Sequence, residues 1–140
     1  MGQIGPGALV YLDTNVLIYL TEGVAEQKVA VSTLIQGYEA AGAKFITSDL
    51  AFTELLVHPI RTGNTGLLLA YERLLSRFVE AMPISREVVY LAAKLRAAAP
   101  AQRTPDAIHV ATAMLAGAVV FVTGDKGIRN LPESISLVLV

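Results

Sequence analysis

Cysteine is absent from the 140 residues. That excludes disulfides, thiolate catalysis and cysteine-ligated zinc or iron, and makes a reducing cytoplasm the simplest compartment. Histidine is scarce, with only two residues, and aromatic residues make up 6% of the chain, mostly at core spacing, so no base-stacking platform is in view. No long hydrophobic run occurs either: the longest, from Ala113 to Val122, is too short to span a bilayer. Met1 to Gly7 lacks the basic segment and apolar stretch of a targeting signal. A soluble protein without membrane association is the expectation. Charge is sparse too, at 16% against about 25% in average soluble domains. The hydrophobic content of 54% exceeds the usual 45–50% or so, which implies apolar surface covered by partners, an oligomer being the natural form. A net charge of -1 provides no global basic footprint for nucleic acid. Binding a polyanion would require metal cations over any acidic cluster, together with local Arg and Lys contacts to phosphate.

No repeat, linker or low-complexity segment divides the chain, so residues 1–140 read as one domain. The run Ala8 to Leu12 predicts a short buried strand ending at Asp13, with Thr14 and Asn15 opening a helix. Val31, Leu34, Ile35 and Tyr38 keep helical spacing between Val24 and Tyr38, and Gly42 is a plausible stop. Lys44 to Thr47 reads as a second strand, and Ser48 as the cap of a helix that carries Glu54 and stops before Pro59. After a loop containing Gly63 and Gly66, Leu67, Tyr71, Leu74, Leu75 and Phe78 mark another helix. A further one buries Val88, Leu91, Leu95 and Ala98. Thr104-Pro105-Asp106 predicts a helix start with Thr104 as cap and Pro105 at the first helical position. Val119 to Val122 and Ser136 to Val140 complete the strands. This alternation argues for an α/β fold with a parallel sheet covered on both faces.

In such sheets the functional rim lies at the C-terminal ends of the strands. Asp13 and Asp125 fall at strand ends, Asp106 sits where a helix dipole favours an anion, and Glu54 follows the second strand. Glu54 lies among Leu50, Ala51, Leu55 and Val57, so it reads as a buried carboxylate in need of a partner. Four anions on one rim would repel one another unless cations were present. Oxygen donors without cysteine suit magnesium or manganese, and two such ions about 3.5–4 Å apart can activate water against a phosphodiester.

The segments Val10-Tyr11-Leu12-Asp13-Thr14-Asn15, Thr47-Ser48 to Glu54, Pro105-Asp106-Ala107-Ile108-His109 with Ala111-Thr112-Ala113, and Val122-Thr123-Gly124-Asp125 together resemble PIN-domain ribonucleases. Among these, the VapC-type toxins of toxin–antitoxin pairs are the most similar. The resemblance implies a three-layer α/β/α sandwich with a central, mostly parallel sheet. It also implies a Mg2+- or Mn2+-dependent endoribonuclease, a homodimer and inhibition by a cognate antitoxin. By position it makes Asp13, Glu54, Asp106 and Asp125 the catalytic and metal-binding acids, with Asn15, Thr123 and Thr14 in support. His109, three residues after Asp106 on the same helix, could touch metal or phosphate. Arg86, Arg96, Arg103, Lys126 and Arg129 are candidate RNA contacts. His58 reads as structural or exposed.

Two other classes compete with this reading. Phosphoacceptor receiver modules also place acids at strand ends, but here no acid pair accompanies Asp13, and Ser48 follows the second strand where an Asp would be expected. A catalytically silent interaction domain would have no use for four acids.

Overall fold

Short apolar runs alternating with amphipathic segments form an all-parallel sheet in the computed structural model, which describes residues 4–128 and 131–140. Strand β1 (Leu9–Leu12) leads into helices α1 (Thr14–Glu22) and α2 (Ala25–Ala40). Strand β2 (Lys44–Ser48) leads into α3 (Asp49–Thr62) and α4 (Thr65–Arg77), and β3 (Val79–Met82) into α5 (Arg86–Ala98) and α6 (Thr104–Ala116). Strands β4 (Val120–Thr123) and β5 (Ser136–Leu139) come last. The sheet order is β3-β2-β1-β4-β5, every neighbouring pair being parallel.

The period-two alternation of strand side chains assigns each residue of the central strands to one of two cores. Val10, Leu12, Phe45, Val120 and Val122 pack with Val16, Leu17, Val31, Ile35, Leu55 and Tyr71 from α1 to α4. Tyr11, Ile46 and Phe121 point the other way, toward Val110 and Ala113 of α6. Val88 and Ala92 of α5 join Ala107 and Ala111 of α6 in a third cluster. The result is a three-layer α/β/α sandwich. Among the described residues no helix is long and apolar enough to cross a membrane.

Four local expectations are corrected. Strand β3 was not anticipated, because Val79-Glu80-Ala81-Met82 buries only its first residue and sits on a sheet edge. Helix α3 does not stop before Pro59; it runs to Thr62, with Pro59 buried on the same face as Ala51 and Leu55. A proline there forfeits one backbone bond, and packing of that face outweighs the loss. The helix ends instead at Gly63, whose φ of 65° no ordinary side chain adopts without strain. Gly66 lies within the first turn of α4, which Asn64 caps. Thr104 is the first residue of α6 and not its cap, a place taken by Arg103 without a side-chain bond, and Pro105 is the second.

Candidate active site

The chain moves from β1 through β2 to β3 on one side of the sheet, and places β4 and β5 on the other. The crevice beyond the C-terminal ends of β1 and β4 is therefore the topological switch point, where parallel sheets bind ligands. Asp13 stands in it. Its backbone N–H extends the ladder to the Val122 carbonyl at 3.0 Å, and its side chain caps α1 by accepting from the Thr14 N–H at 2.8 Å. The second carboxylate oxygen accepts from the Thr123 hydroxyl at 2.7 Å, across from the end of β4. Burial pushes the Asp13 carboxyl above its ordinary 3.8, outweighing the opposing influence of His109, Thr123 and Thr14, while the charge on Glu54 adds to the rise.

Thr123 is a hub. Its oxygen also accepts from the Asp125 N–H at 2.9 Å and from the Asn15 amide at 3.4 Å. Asn15 in turn accepts from the Gly124 N–H at 2.8 Å. Gly124 packs so closely on the Tyr19 ring that a Cβ there would lie 2.7 Å from it, so any larger residue would have to push that ring aside. Asp125 accepts from the Gly127 N–H at 2.7 Å and closes a short turn.

Glu54 meets the site from α3. Contrary to the expectation of burial, its side chain is 33% exposed, because the buried stripe of α3 is Ala51, Leu55 and Pro59, and Glu54 lies beside it. It does have partners: Oε1 accepts from the Thr14 hydroxyl and from His109 Nε2, both at 2.7 Å. Partial burial would raise its carboxyl. The His109 hydrogen bond outweighs this, together with the Thr14 bond and the charges of His109 and Arg103, and holds it below 4.5.

His109 is buried and lies at the centre of the arrangement. Its Nε2 is 2.7 Å from Glu54 Oε1, 3.3 Å from Thr14 Oγ1 and 3.6 Å from Asp13 Oδ1. Its Nδ1 lies 2.6 Å from the Tyr11 hydroxyl. Sequence reading passed over Tyr11 as a strand residue. The available signal was a tyrosine inside a fully buried strand, whose hydroxyl must find a partner.

Asp106, in the first turn of α6, is 15% exposed at its side chain and accepts from Arg103 Nε at 3.3 Å. Arg103 is itself 73% exposed. Its guanidinium is held charged first by the hydrogen bond and charge of Asp106, then by the charges of Asp125 and Glu54.

The remaining cations fare differently. Arg96 Nε donates to the Gln102 carbonyl at 2.8 Å and Nη1 to Thr104 Oγ1 at 3.0 Å, which ties the turn between α5 and α6. A cavity of about 580 Å3 lined by Val89, Ala92, Arg96, Thr104 and Ile108 borders that turn. The two helices are joined by five residues and pack as an antiparallel hairpin. Arg86 therefore lies at the opposite end of α5 from the turn, about 18 Å away along the helix axis, whereas Asp106 follows the turn directly. Lys126 is exposed beside Asp125, and His58 is exposed on α3. Arg129 lies outside the described residues.

The geometry thus places Asp13 and Glu54 on one imidazole, and Asp106 on a guanidinium that also senses Asp125 and Glu54. It does not gather them into a ready ligand set. Among the described residues no group of three or more Asp, Glu or His side chains is placed to hold a metal ion.

A family model described as the PIN domain matches residues 10–134. The chain belongs to the PIN domain family. No curated protein shows a significant sequence match to it. Among solved structures, this PIN domain is similar to a toxin–antitoxin complex from Klebsiella pneumoniae, at 23% identity and a TM-score of 0.65, covering 90% of this chain and 94% of the other. It is similar to VapBC2 from Rickettsia felis bound to a DNA fragment from their promoter, at 18% identity and a TM-score of 0.72, covering 92% and 96%. VapBC-5 from Mycobacterium tuberculosis, a member of the VapBC family of toxin–antitoxin systems, matches at 20% identity and a TM-score of 0.62, covering 95% and 99%. At these identities the likeness is one of fold.

PIN domain nucleases are generally dependent on divalent metal. The donor chemistry here suits a hard cation: oxygen ligands dominate, and oxygens of Asp13 and Glu54 converge within 4 Å of one atom, His109 Nε2. Asp13 is a buried anion whose carboxyl is pushed upward, and a bound cation would offset that cost.

Proposed function

We propose that this PIN domain is a magnesium- or manganese-dependent endoribonuclease acting as the toxin of a VapBC-type toxin–antitoxin pair. The observation that carries the reading is Asp13, a buried carboxylate clamped at the switch point of the sheet, with Glu54 sharing its imidazole neighbour. Asp13, Glu54 and Asp106 would hold the metal, with Asp125 assisting. When bound, the metal supplies activation of water and neutralisation of charge at the scissile phosphate.

The chain's own groups prepare that chemistry. Thr14 and Thr123 fix both oxygens of Asp13, so the carboxylate needs no reordering when a cation arrives. Asp106 is occupied by Arg103, a positive group that a cation would supplant, whereas Thr14 and His109 both bond Glu54 through Oε1 and steady it for a cation at its other oxygen. Arg103, largely exposed at the rim, and Lys126, beside Asp125, are the cations best placed to meet phosphate.

The toxin assignment rests on the names of the similar structures, which are toxin–antitoxin complexes, and on apolar surface that a partner would cover. Val24, Val29, Ile60 and Tyr90 are each more than 60% exposed. A second copy of the chain and an antitoxin are the partners proposed. Membership of the PIN family removes the receiver-like alternative.

The test is cleavage of a random-sequence RNA pool by the purified chain, with magnesium and with EDTA. Cleavage should vanish in EDTA and fall by about a hundredfold or more in Asp13→Asn, which should remain folded. Equal cleavage in EDTA, or an active Asp13→Asn, would overturn the proposal. A folded protein that cuts no RNA under any divalent metal would point to a PIN-like module without catalysis.

A further inference from the structure

We propose that Tyr11 and His109 are positioning residues that set the orientation of Glu54 through a buried hydrogen-bonded chain from the central strand to the rim. The inference rests on the reading of Glu54 as a metal-binding acid. Tyr11 is fully buried in β1, and its ring stacks on Phe121 of β4 with centroids 4.9 Å apart and planes 12° apart. The His109 ring meets Tyr11 edge-on, at 5.9 Å and 74°. Both rings are buried.

Both nitrogens of His109 are engaged, Nδ1 with the Tyr11 hydroxyl at 2.6 Å and Nε2 with Glu54 at 2.7 Å. In the neutral ring these two bonds select one tautomer: the phenol donates to Nδ1, and Nε2–H donates to Glu54. Tyr11 therefore determines which nitrogen presents a proton to the carboxylate.

Glu54 needs such support. It stands on the open side of α3 on a long side chain that is 33% exposed, and fixing such a chain costs conformational entropy. Thr14 and His109 both grip Oε1, one from α1 and the other from α6. The grip of His109 is anchored through Tyr11 to β1, the strand that also delivers Asp13. One rigid element thus sets the relative placement of two acids separated by 41 positions.

The experiment measures Mn2+ binding calorimetrically on the metal-free chain, for wild type, Tyr11→Phe, His109→Leu, His109→Gln and Glu54→Gln. Tyr11→Phe keeps the stacked ring and loses only the hydroxyl. It and His109→Leu should weaken Mn2+ binding about tenfold or more, as loss of groups that orient metal ligands does, while cooperative unfolding is retained. His109→Gln, whose amide can still donate to Glu54, should recover part of the affinity. Nitrogen-15 shifts should show the Nε2–H tautomer in wild type and a mixture in Tyr11→Phe.

Folded Tyr11→Phe and His109→Leu with wild-type Mn2+ affinity, beside a Glu54→Gln that loses it, would overturn this inference and leave the proposed function standing. Wild type that binds no Mn2+, or binds it as Glu54→Gln does, would overturn the proposed function instead. If His109→Leu fails to fold, Tyr11→Phe alone decides.

Discussion

Replacing Thr123 by valine preserves the shape of the β4 terminus and deletes one hydroxyl that serves three neighbours. That hydroxyl donates to Asp13 at 2.7 Å and accepts from Asp125 N–H and the Asn15 amide. A hydrogen bond to a charged group contributes about 1.5–3 kcal/mol, and a buried acceptor left unpaired adds to the loss, so the variant should be destabilised by about 2–4 kcal/mol at pH 7. For a domain of this size that lowers Tm by roughly 6–12 °C. Burial already pushes the Asp13 carboxyl above 3.8. A raised acid favours the fold while protonated, and that contribution is lost as pH rises through its folded value. The penalty of Thr123→Val should therefore shrink as pH falls through that raised value, toward the ~1 kcal/mol of a neutral bond. An Asp13→Asn background should shrink it as well, giving a coupling energy of about 1–2 kcal/mol. Thermal and urea unfolding followed by circular dichroism in EDTA, in a pH series from 7 downward through the Asp13 titration, measures all of this. A Thr123→Val protein within about 0.5 kcal/mol of wild type at pH 7, or a penalty indifferent to pH and to Asp13, would refute the reasoning.

Two other substitutions test the neighbouring contacts. Glu54 has the opposite sign from Asp13: its carboxyl is held below 4.5, so it stabilises the fold above that pH and loses its contribution as pH falls through the depressed value. Glu54→Gln should cost under about 1 kcal/mol at pH 7, given its exposure, and should converge with wild type once pH has fallen below that depressed value in a pH series of urea melts. Gly124→Ala drives a methyl group into the Tyr19 ring and should cost about 1–3 kcal/mol by thermal melting, part of which Tyr19→Ala in the same chain should restore.

Much of the fold was legible because buried parallel strands and amphipathic helices have different periods. Leu9 to Leu12 and Val120 to Val122 present apolar or aromatic side chains to both faces, as a central strand does, and they sit side by side in the middle of the sheet. What failed were places where tertiary packing overrides a local rule. Pro59 reads as a stop but its buried face keeps α3 going, and Val79 to Met82 is too weakly patterned to announce an edge strand. At the candidate site, residue types and strand-end positions were readable, but pairings were not. Glu54 looked buried from its apolar neighbours in sequence, whereas helical rotation turns it outward. Tyr11 and His109 are 98 residues apart, and no local pattern encodes their contact.

The central position of β1 has a consequence for how the molecule is made. The hydroxyl that clamps Asp13 belongs to a residue 110 positions further along, on the strand that completes the far flank of β1. A nascent chain still lacking that strand exposes one edge of β1 and leaves Asp13 without its partner, so the rim can be assembled only once β4 itself has emerged from the ribosome.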